Sequence, residues 1–500
     1  MRQQSACQSK TQTDESKRLK QLLMVDEPLG SDLPEGWVFT KVGEILTVNY
    51  GKGLTEAARI PGEVSVYGSN GVVGKHNVAL TRGPTIILGR KGTVGAIHLS
   101  TYPCWPIDTT YFIDEFHGLD PAYLTYVLRG LDLAELDTST AIPGLNRDDL
   151  YAQRIPLAPL VEQKRIIAKV EALLARVNAT RERLAKVPRI LKRFRQAVLA
   201  AACSGRLTED WRAVQLELES ADCLVERVYA KRRQQYETDC QKAKVEGKKL
   251  PTKPIDLERR AVETGDLPDI PDEWTWVYLP ELGYMNRGKS RHRPRNAPHL
   301  YGGPYPFIQT GDIAQSNGRI TLHRQTYSEA GLAQSRLWPT GTVCITIAAN
   351  IANSAVLTYP ACFPDSVVGL IPDADLCLGE YVEFFLRTAR SHIDQFAPAT
   401  AQKNINIEIL NDVAVPLPPL QEQHEIVRRV EALFKLADTI EKRVAAATVR
   451  AKKLSQAILA KAFRGELVPT EAQLAHCEGR SYEPASALLA RIMAELGSLK

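Results

Sequence analysis

The feature that most constrains this chain is a repeat, because one segment and its surroundings occur twice in the same order. The stretch PLAPLVEQ at residues 156–163 returns as PLPPLQEQ at residues 416–423, a shift of 260 positions. At this shift further residues match: Asn146 with Asn406, Glu171-Ala172-Leu173 with Glu431-Ala432-Leu433, and residues 196–200 (QAVLA) with residues 456–460 (QAILA). A fold built from such a chain contains two copies of one frame.

The interiors of the two copies differ more than their ends. Residues 123–129 resemble residues 381–387 at a shift of 258, and upstream of them the similarity fades. The two copies also begin with similar segments, LPEGW at residues 33–37 and IPDEW at residues 270–274. We call the divergent inserts module 1 (31–155) and module 2 (269–415), and predict that they perform the same task on different targets. An old duplication without functional meaning is the alternative.

Length and composition favour a cytoplasmic globular protein. The 500 residues suit about three domains or a duplicated pair, and 44% apolar with 24% charged residues is a globular composition. The formal net charge of +5 makes only a mild case for a polyanionic partner. Nine scattered cysteines without a CxxC pair favour reduced thiols and offer no zinc-site spacing. Residues 1–30 lack a signal core and no apolar run suits a membrane span, so we expect neither membrane nor metal.

A heptad pattern follows the repeated segment in both copies. Apolar positions alternate at spacings of four and three residues, which predicts two long helices with matching stripes. Because the connection between the copies is long, we expect these helices to pair antiparallel as a coiled coil. The first stripe comprises Ile166, Val170, Leu173, Val177, Thr180, Leu184, Val187, Leu191, Phe194 and Val198, and the second comprises Ile426, Val430, Leu433, Ala437, Ile440, Val444, Ala447, Ala451, Leu454 and Ile458.

The first helix has the length of a spacer. From residue 166 to residue 198 it measures roughly 48 Å at about 1.5 Å per residue. Half-sites on one face of B-DNA lie about 34 Å apart, so such a rod could space two DNA-reading modules. Pro188 interrupts the first helix and has Thr448 as its counterpart, which predicts a kink in the first helix alone. Its many Lys and Arg residues are expected to be solvated, with contact to phosphate or a partner as the alternative.

Module 1 combines short β-type runs with glycine-rich turns, where loops can approach a ligand. The segments 67–77 (YGSNGVVGKHN) and 89–95 (GRKGTVG) place basic and hydrogen-bonding groups on such loops, although plain turns would also use these glycines. Lys and Arg bind phosphate or guanine, and Asn pairs with adenine, so DNA contact is the hypothesis. Neither segment has P-loop spacing. The candidate DNA-binding residues are Lys52, Tyr67, Ser69, Asn70, Lys75, His76, Arg90, Lys91 and Thr93.

Module 2 opens with its most DNA-like stretch, NRGKSRHRPRN at residues 286–296. Five permanent positive charges without an acid repel one another unless a polyanion screens them, and a solvated loop is the alternative. Residues 307–313 (FIQTGDI) predict a strand that leads into a polar turn. Ala348-Ala349-Asn350 stands where module 1 has Arg90-Lys91-Gly92, so we expect the modules to read different bases. The candidates are Arg287, Lys289, Arg291, Arg293, Arg295, Gln309, Thr310, Asp312, Lys403 and Asn404.

The paired PLxPLxEQ frame, the long helix and the QA[VI]LA segment resemble the shared framework of Type I restriction-modification specificity subunits. Residues 67–77 look like the Gly-Ser-Asn-Gly element of a target recognition domain, and residues 306–313 look like its alternative opening in other members. The resemblance covers residues 33–467. It implies an α+β fold with two α/β target recognition domains, separated by two antiparallel coiled-coil helices, and a pseudo-twofold internal repeat.

For function, the resemblance implies a non-catalytic subunit that recognises double-stranded DNA. Its partners would be two methyltransferase subunits, which modify adenine in a bipartite asymmetric site, and restriction subunits with translocase activity, which add ATP-dependent cleavage. S-adenosylmethionine, ATP and Mg²⁺ are then expected on the partner subunits, and no cofactor on this chain. The protein would act on DNA in a prokaryotic cytoplasm.

The predicted layout follows the repeat. It comprises a polar extension (1–30), module 1 (31–155), spacer helix 1 (156–207), a charged connector (208–268), module 2 (269–415), spacer helix 2 (416–467) and a C-terminal tail helix (468–500). The extension and the connector fit the resemblance poorly. We expect the connector to be a linker or an extra helix.

Two other classes of function are open from the sequence. An adenine methyltransferase needs an [Asn/Asp]-Pro-Pro-aromatic loop, whereas Pro418-Pro419 lies between two leucines, and a motor needs a P-loop, which the sequence lacks. Glu246-Gly247-Lys248 has the ExK spacing of metal nucleases but lies in the charged connector without an upstream partner carboxylate nearby. A coiled-coil scaffold would explain the helices, but it leaves the divergent modules and the basic stretch without a role.

Overall fold

The structure, a computed structural model, divides into two compact units. Unit 1 comprises Met1–Ala185 and Val444–Lys500, and Unit 2 comprises Lys186–Arg443. The structure describes residues 33–131, 133–136, 144–250, 258–292, 294–348, 352–395 and 407–498. Module 1 lies in Unit 1 and module 2 in Unit 2. Each unit also contains one part of each long helix.

Module 1 consists of three small antiparallel or mixed sheets and short helices. Its elements are β1 (Val38–Lys41), α1 (Val42–Ile45), β2 (Asn49–Tyr50), β3 (Val64–Gly68), β4 (Gly71–His76), β5 (Thr85–Gly89), β6 (Ile97–Ser100), β7 (Cys104–Pro106), β8 (Thr110–Ile113), α2 (Pro121–Arg129), α3 (Arg147–Tyr151) and β9 (Arg154–Leu157). The sheets have the strand orders β1-β9, β2-β8-β5-β6 and β4-β3-β7. The apolar strands β5 and β8 are buried along their whole length, which places them at the centre of the largest sheet.

Module 2 repeats this plan with additions. Its elements are β10 (Thr275–Tyr278), β11 (Gly283–Arg287), β12 (Tyr301–Phe307), α7 (Thr310–Gln315), β13 (Arg319–Ile320), β14 (Gln325–Tyr327), α8 (Glu329–Ala333), β15 (Val343–Thr346), β16 (Ser354–Leu357), β17 (Val367–Pro372), α9 (Gly379–Gln395), α10 (Ile407–Asn411) and β18 (Ala414–Leu417). The sheets have the orders β10-β18, β12-β14 and β11-β17-β15-β16-β13. The order β2-β8-β5-β6 of module 1 therefore returns as β11-β17-β15-β16, with β13 added at the edge.

The Pro-Leu pair that begins the repeated PLxPL segment lies at the end of the last strand of each module. In module 1, β9 pairs antiparallel with the first strand β1, so that Val38 stands opposite Leu157. In module 2, β18 pairs with β10 in the same way, and Thr275 stands opposite Leu417. Each module is thus closed by its own ends, and the chain passes directly from the closing strand into a long helix.

The long helices are α4 (Leu160–Cys203) and α11 (Leu420–Phe463), each of 44 residues. In Unit 1 the first turns of α4, with Ile166 and Val170, share one core with Ile458 and Ala462 from the last turns of α11. In Unit 2 the last turns of α4 likewise share a core with the first turns of α11. This is the arrangement of antiparallel helices. The predicted α+β fold with coiled-coil helices is confirmed.

The apolar stripe differs from the predicted one at two positions. Thr180 is exposed, and its hydroxyl donates a hydrogen bond to the carbonyl of Arg176 one turn back. Leu454 is 52% exposed, and Ser455 is the partly buried residue between Ala451 and Ile458. The stripe shifts here because a straight α-helix drifts relative to a strict heptad. Helix α4 continues through Pro188, and the kink expected there stays a prediction.

The Glu-Gln pair that ends the repeated motif is fully buried in both copies. In Unit 1, Trp37 Nε1 donates to Glu162 Oε1 at 3.0 Å, and Gln163 Nε2 donates to the carbonyl of Ala158 at 2.8 Å. In Unit 2, Trp274 Nε1 donates to Glu422 Oε2 at 2.8 Å. The matching tryptophans of LPEGW and IPDEW therefore bind the matching glutamates.

The connector and the tail each form helices that cover a module. The connector contains α5 (Glu209–Arg212) and α6 (Ala221–Val245), so it is an extra helix rather than only a linker. Leu224, Val225 and Val228 of α6 are buried in the core of module 2. The tail contains α12 (Glu471–Glu478) and α13 (Ala485–Ser498), two helices where one was expected, and Leu488 of α13 is buried in the core of module 1.

A buried carboxyl group gives Unit 2 a predicted pH dependence. Burial raises the pKa of Glu383 to about 8, although Arg387 and the Ser354 hydroxyl favour its charged form. A raised folded-state pKa stabilises the fold at pH values below the unfolded pKa, and this stability is lost as pH rises towards 8. We expect Glu383→Gln to raise the melting temperature relative to the wild type more at pH 8.5 than at pH 5.

Thermal unfolding followed by circular dichroism at both pH values measures this difference. Glu383→Asp is the matched control, because it retains a carboxyl group and should keep the pH dependence. An equal effect of Glu383→Gln at both pH values would show that the buried group does not titrate in this range.

Candidate nucleic-acid interface

Two loops of module 1 that the sequence singled out lie side by side. The tight β3–β4 turn contains Ser69 and Asn70 and ends at Gly71, whose φ of +106° favours glycine. In the β5–β6 loop, the backbone N of Thr93 donates to Ser69 Oγ at 3.5 Å. The sequence segments 67–77 and 89–95 therefore belong to one surface rather than to two separate turns.

Residues 105–110 connect these loops to the strand end at Lys52. The carbonyl of Tyr67 accepts from Ile107 N at 2.9 Å, and Lys52 N donates to the carbonyl of Pro106 at 3.0 Å. The backbone N atoms of Arg90 and Lys91 both donate to the carbonyl of Thr109. We call this surface the loop corner of module 1; it comprises residues 50–52, 67–71, 89–95 and 105–110. Seven of the nine candidates of module 1 lie in it.

An exposed tyrosine between two arginines was not among the predicted residues. Tyr50 is 51% exposed, and the guanidinium carbons of Arg90 and Arg147 lie 5.3 and 5.2 Å from the centre of its ring. The Nε atoms of both arginines are buried without a hydrogen-bond partner. Cations held over an aromatic ring in this way are oriented groups that suit a polyanion. Arg147 follows Asn146 of the repeated frame, and this adjacency is the signal that could have found it.

Lys75 and His76 have other roles in the structure. Lys75 Nζ forms an ion pair with Glu63 Oε2 at 2.5 Å on the surface of β4. His76 is only 7% exposed, its Nδ1 accepts a hydrogen bond from Ile60 N at 3.0 Å, and its ring packs edge-on against Trp105. The imidazole of His76 is a core group, so the structure does not support it as a contact residue.

The basic stretch of module 2 forms a surface loop, which we call the basic loop (287–296). Arg287 ends β11, and Arg287, Lys289 and Arg291 are exposed. The stretch contains no acid in sequence, but Arg295 Nη2 lies 2.9 and 2.8 Å from the two carboxylate oxygens of Asp365. The positive charge of this loop is therefore partly neutralised by a residue distant in the chain. Arg293 lies outside the described residues.

A second pair of cation and aromatic ring borders the basic loop. Arg336 lies over the rings of Tyr284 and Trp338, at 4.6 and 4.3 Å from their centres, and its Nη1 donates to the Tyr284 hydroxyl at 2.8 Å. Burial raises the pKa of Tyr284, but hydrogen bonds from Asn286 and Arg336 outweigh it and lower the pKa overall. Neither Tyr284 nor Arg336 was predicted, because they stand 52 positions apart in the chain.

Three further candidates of module 2, Gln309, Thr310 and Asp312, lie at the start of α7. Gln309 is exposed and Thr310 begins the helix. Asp312 is mostly buried: one carboxylate oxygen accepts from Gln309 N at 2.9 Å and the other lies 3.4 Å from Arg324 Nε. Its carboxylate stabilises the helix start, so it is not a free acceptor for a base. Lys403 and Asn404 lie outside the described residues.

Two backbone hydrogen bonds at the end of the central strands correspond between the two modules. In module 1, Gly89 N donates to the carbonyl of Ala96 at 2.8 Å and Arg90 N to that of Thr109 at 2.9 Å. In module 2 the corresponding bonds run from Thr346 N to Asn353 and from Ile347 N to Ser366, at 2.9 and 3.0 Å. The alignment of Arg90 with Ala348 was therefore wrong by one residue, because backbone pairing and not residue similarity fixes the register.

The corrected register keeps the contrast between the two modules. Arg90 corresponds to the buried Ile347, and Lys91 corresponds to Ala348. A polar surface with exposed cations and aromatic rings can bind phosphate and base edges in both modules, but with different side chains. Within the described residues, no cluster of three potential ligands is arranged for a metal ion, and no helix is long and apolar enough to cross a bilayer.

Comparison with known proteins agrees with this picture. A family model described as the Type I restriction modification DNA specificity domain matches residues 34–189 and 271–447. The EcoDI specificity subunit of Escherichia coli is 28% identical over 445 residues, which cover 87% of this chain and 89% of that subunit. The EcoBI specificity subunit of the same species is 30% identical over 371 residues, covering 70% of this chain and 65% of that subunit. The chain thus spans slightly less than two thirds of the EcoBI subunit.

Two solved structures share the fold. A chain from work on complex assembly and conformational transition of the type I R-M system superposes with a TM-score of 0.62 at 21% identity, covering 87% of this chain and 100% of that chain. The HsdS subunit from Thermoanaerobacter tengcongensis gives a TM-score of 0.51 at 20% identity, covering 87% and 98%.

The neighbours Lys75 and His76 provide a test of which side chain belongs to the core. His76→Ala leaves Ile60 N without its acceptor and removes the contact with Trp105, so we expect it to lower the free energy of unfolding by about 1–3 kcal/mol. Lys75→Ala removes an exposed ion pair and should leave the urea midpoint unchanged. Urea unfolding followed by tryptophan fluorescence measures both variants, and equal midpoints would contradict the buried role of His76.

Proposed function

Because the chain belongs to the family of Type I restriction-modification DNA specificity domains, we propose that it reads a bipartite, asymmetric DNA site with one module on each half-site. The observation that carries this proposal is the shared backbone of the two modules. Equivalent strands and loops present Arg90 and Lys91 in module 1 but Ile347 and Ala348 in module 2. Two copies of one reader with different side chains suit two different half-sites.

The side chains at these loops support contact with the DNA grooves and backbone. Arginines fixed over aromatic rings, such as Arg90 at Tyr50 and Arg336 at Tyr284, have a defined orientation. An oriented guanidinium can donate to guanine O6 and N7, whereas exposed lysines such as Lys91 suit phosphates. Ser69 and Asn70 offer further donors and acceptors at the turn beside Thr93.

The partners follow from the family. We propose that this chain binds two methyltransferase subunits, which methylate adenine within the site, and restriction subunits, which add ATP-dependent translocation and cleavage. S-adenosylmethionine, ATP and Mg²⁺ would be bound by those subunits, and the long helices α4 and α11 offer the surface for docking them. The complex would act on DNA in a prokaryotic cytoplasm, where the scattered cysteines stay reduced.

Genome-wide adenine methylation tests the proposal. Single-molecule sequencing compares a host that carries this chain and its neighbouring methyltransferase subunit with a host that lacks only this chain. We expect methylation at one bipartite motif with a fixed gap, which disappears without the chain. Methylation that does not depend on the chain, in the presence of an active methyltransferase, would refute the proposed role.

Exchange of one module should alter one half-site only. We expect replacement of residues 271–415 by the corresponding module of a specificity subunit with a different site to change one part of the methylated motif. The gap and the other half-site should stay as they are, because module 1 has its own sheets and its own loop corner. The same sequencing detects the motif, and the reciprocal exchange of residues 34–155 is the control. A change of both half-sites after one exchange would contradict the modular interpretation.

Two arginines of the basic loop should differ in their effect on DNA affinity. Arg291 is exposed, whereas the charge of Arg295 is neutralised by Asp365. The binding constant K falls as the salt concentration rises, so the slope of log K against log salt concentration is negative. If Arg291 contacts a phosphate, Arg291→Gln reduces the magnitude of this slope by about 0.9, and Arg295→Gln has a smaller effect. Fluorescence anisotropy with duplex DNA measures the slopes. An unchanged slope for Arg291→Gln would show that Arg291 does not contact a DNA phosphate.

A further inference from the structure

A short motif recurs in both modules, where the first strand of the largest sheet ends (β2 in module 1 and β11 in module 2). Residues 49–52 read Asn-Tyr-Gly-Lys and residues 286–289 read Asn-Arg-Gly-Lys, a shift of 237 positions. The same shift aligns Trp37 with Trp274 and Glu44 with Glu281. The shift of 237 positions differs from the shift of 260 positions that relates the long helices. The beginnings of the two modules therefore contain a second set of matching residues.

The structure makes the two motifs equivalent. Gly51 N donates to the carbonyl of Thr110 at 3.0 Å, and Gly288 N donates to the carbonyl of Val367 at 2.8 Å, in each case at the start of the adjacent strand. A Cβ atom on Gly51 would lie 2.0 Å from the carbonyl oxygen of Ile107. A Cβ atom on Gly288 would lie 2.3 Å from that of Pro364. Both glycines are therefore required by close backbone packing, and each fixes the position of the lysine that follows.

The backbone carbonyl of each lysine is held by a hydrogen bond, and the Nζ atom of Lys52 also lies 6.0 Å from the centre of the Trp105 ring. The carbonyl of Lys52 accepts from Trp105 Nε1 at 2.9 Å, and the carbonyl of Lys289 accepts from Ser335 Oγ at 2.8 Å. Both residues are exposed. Among the ion pairs of the described residues, neither ammonium group has an acidic partner, in contrast to Lys75 with Glu63. A fixed backbone with an unneutralised ammonium group at the same place in two modules calls for a common ligand.

The neighbours of the two lysines differ. Tyr50 precedes Gly51 where Arg287 precedes Gly288, and the adjacent loop has Arg90 in module 1 but Ile347 in module 2. Positions that change between the modules suit half-sites that differ in sequence. A position that stays lysine suits the part of DNA that is the same at both half-sites, which is the sugar-phosphate backbone.

We infer that Lys52 and Lys289 are equivalent phosphate contacts, one in each module, that position the central sheet on the DNA backbone without reading a base. The inference rests on the proposed function and assigns a role within it. An ammonium group is a compact point charge with three donors, so it binds a phosphate oxygen without the fixed geometry that a base edge requires. The glycine before it brings the strand end close to that phosphate.

Salt dependence of DNA binding tests this role. The full-length chain with its methyltransferase subunits is titrated into two duplexes, one with the methylated motif and one with a scrambled sequence, between about 50 and 300 mM KCl. We expect Lys52→Ala and Lys289→Ala each to reduce the magnitude of the negative slope of log K against log salt concentration by about 0.9 on both duplexes, and the double variant to reduce it by about 1.8. The methylated motif should stay the same.

Matched variants separate this role from others. Lys41→Ala and Lys242→Ala remove exposed lysines from β1 and α6 and should keep the wild-type slope, and Lys52→Arg and Lys289→Arg should restore it. A wild-type slope for both alanine variants overturns the inference, as does a loss that is confined to the motif duplex, since that loss indicates base contact. If the wild-type complex binds neither duplex, the proposed function itself fails, so the two failures are distinguishable.

Discussion

The fold depends on a buried carboxylate at the joint between each module and a long helix. Glu162 and Glu422 stand in the first turn of their helices, fully buried, and each accepts a hydrogen bond from the tryptophan that opens its module. A buried carboxylate is costly unless donors surround it, so the helix start, the opening strand and the covering segment have to meet there. Burial raises the pKa of Glu162, and hydrogen bonds from Glu471 N and Trp37 offset part of this rise.

The third partner at each joint comes from the other copy of the repeat. In Unit 1 the oxygen of Glu162 that Trp37 leaves free accepts from Glu471 N at 2.8 Å, where helix α12 begins after the second long helix. In Unit 2, Glu422 Oε1 accepts from the Thr208 hydroxyl at 2.7 Å, in the segment that follows the first long helix. Each module is thus completed by the end of the opposite copy. This exchange explains why the antiparallel helices and the repeated PLxPLxEQ segment occur together.

The scaffold and the candidate DNA-contacting surface are formed by different residues with different chemistry. The order of four strands in the largest sheet, the closing strand pair and two backbone hydrogen bonds beside the loops are the same in both modules, and they use apolar side chains and glycines. The surface side chains on this scaffold differ: the partly buried Arg90 lies beside the exposed Tyr50 in module 1, and the partly buried Arg336 lies beside the exposed Tyr284 in module 2. A protein built in this way can change what it recognises without changing how it folds, because loop side chains contribute little to the core.

The sequence by itself determined the duplication, the two long antiparallel helices and the family, because these depend on residue order and local periodicity. Only the tertiary structure showed that Tyr50 lies between Arg90 and Arg147, that Asp365 neutralises Arg295, and that His76 is a core residue. It also moved the register between the modules by one residue, from Ala348 to Ile347. Each of these depends on a neighbour that is distant in the chain, and only strand pairing and burial decide which distant residues meet.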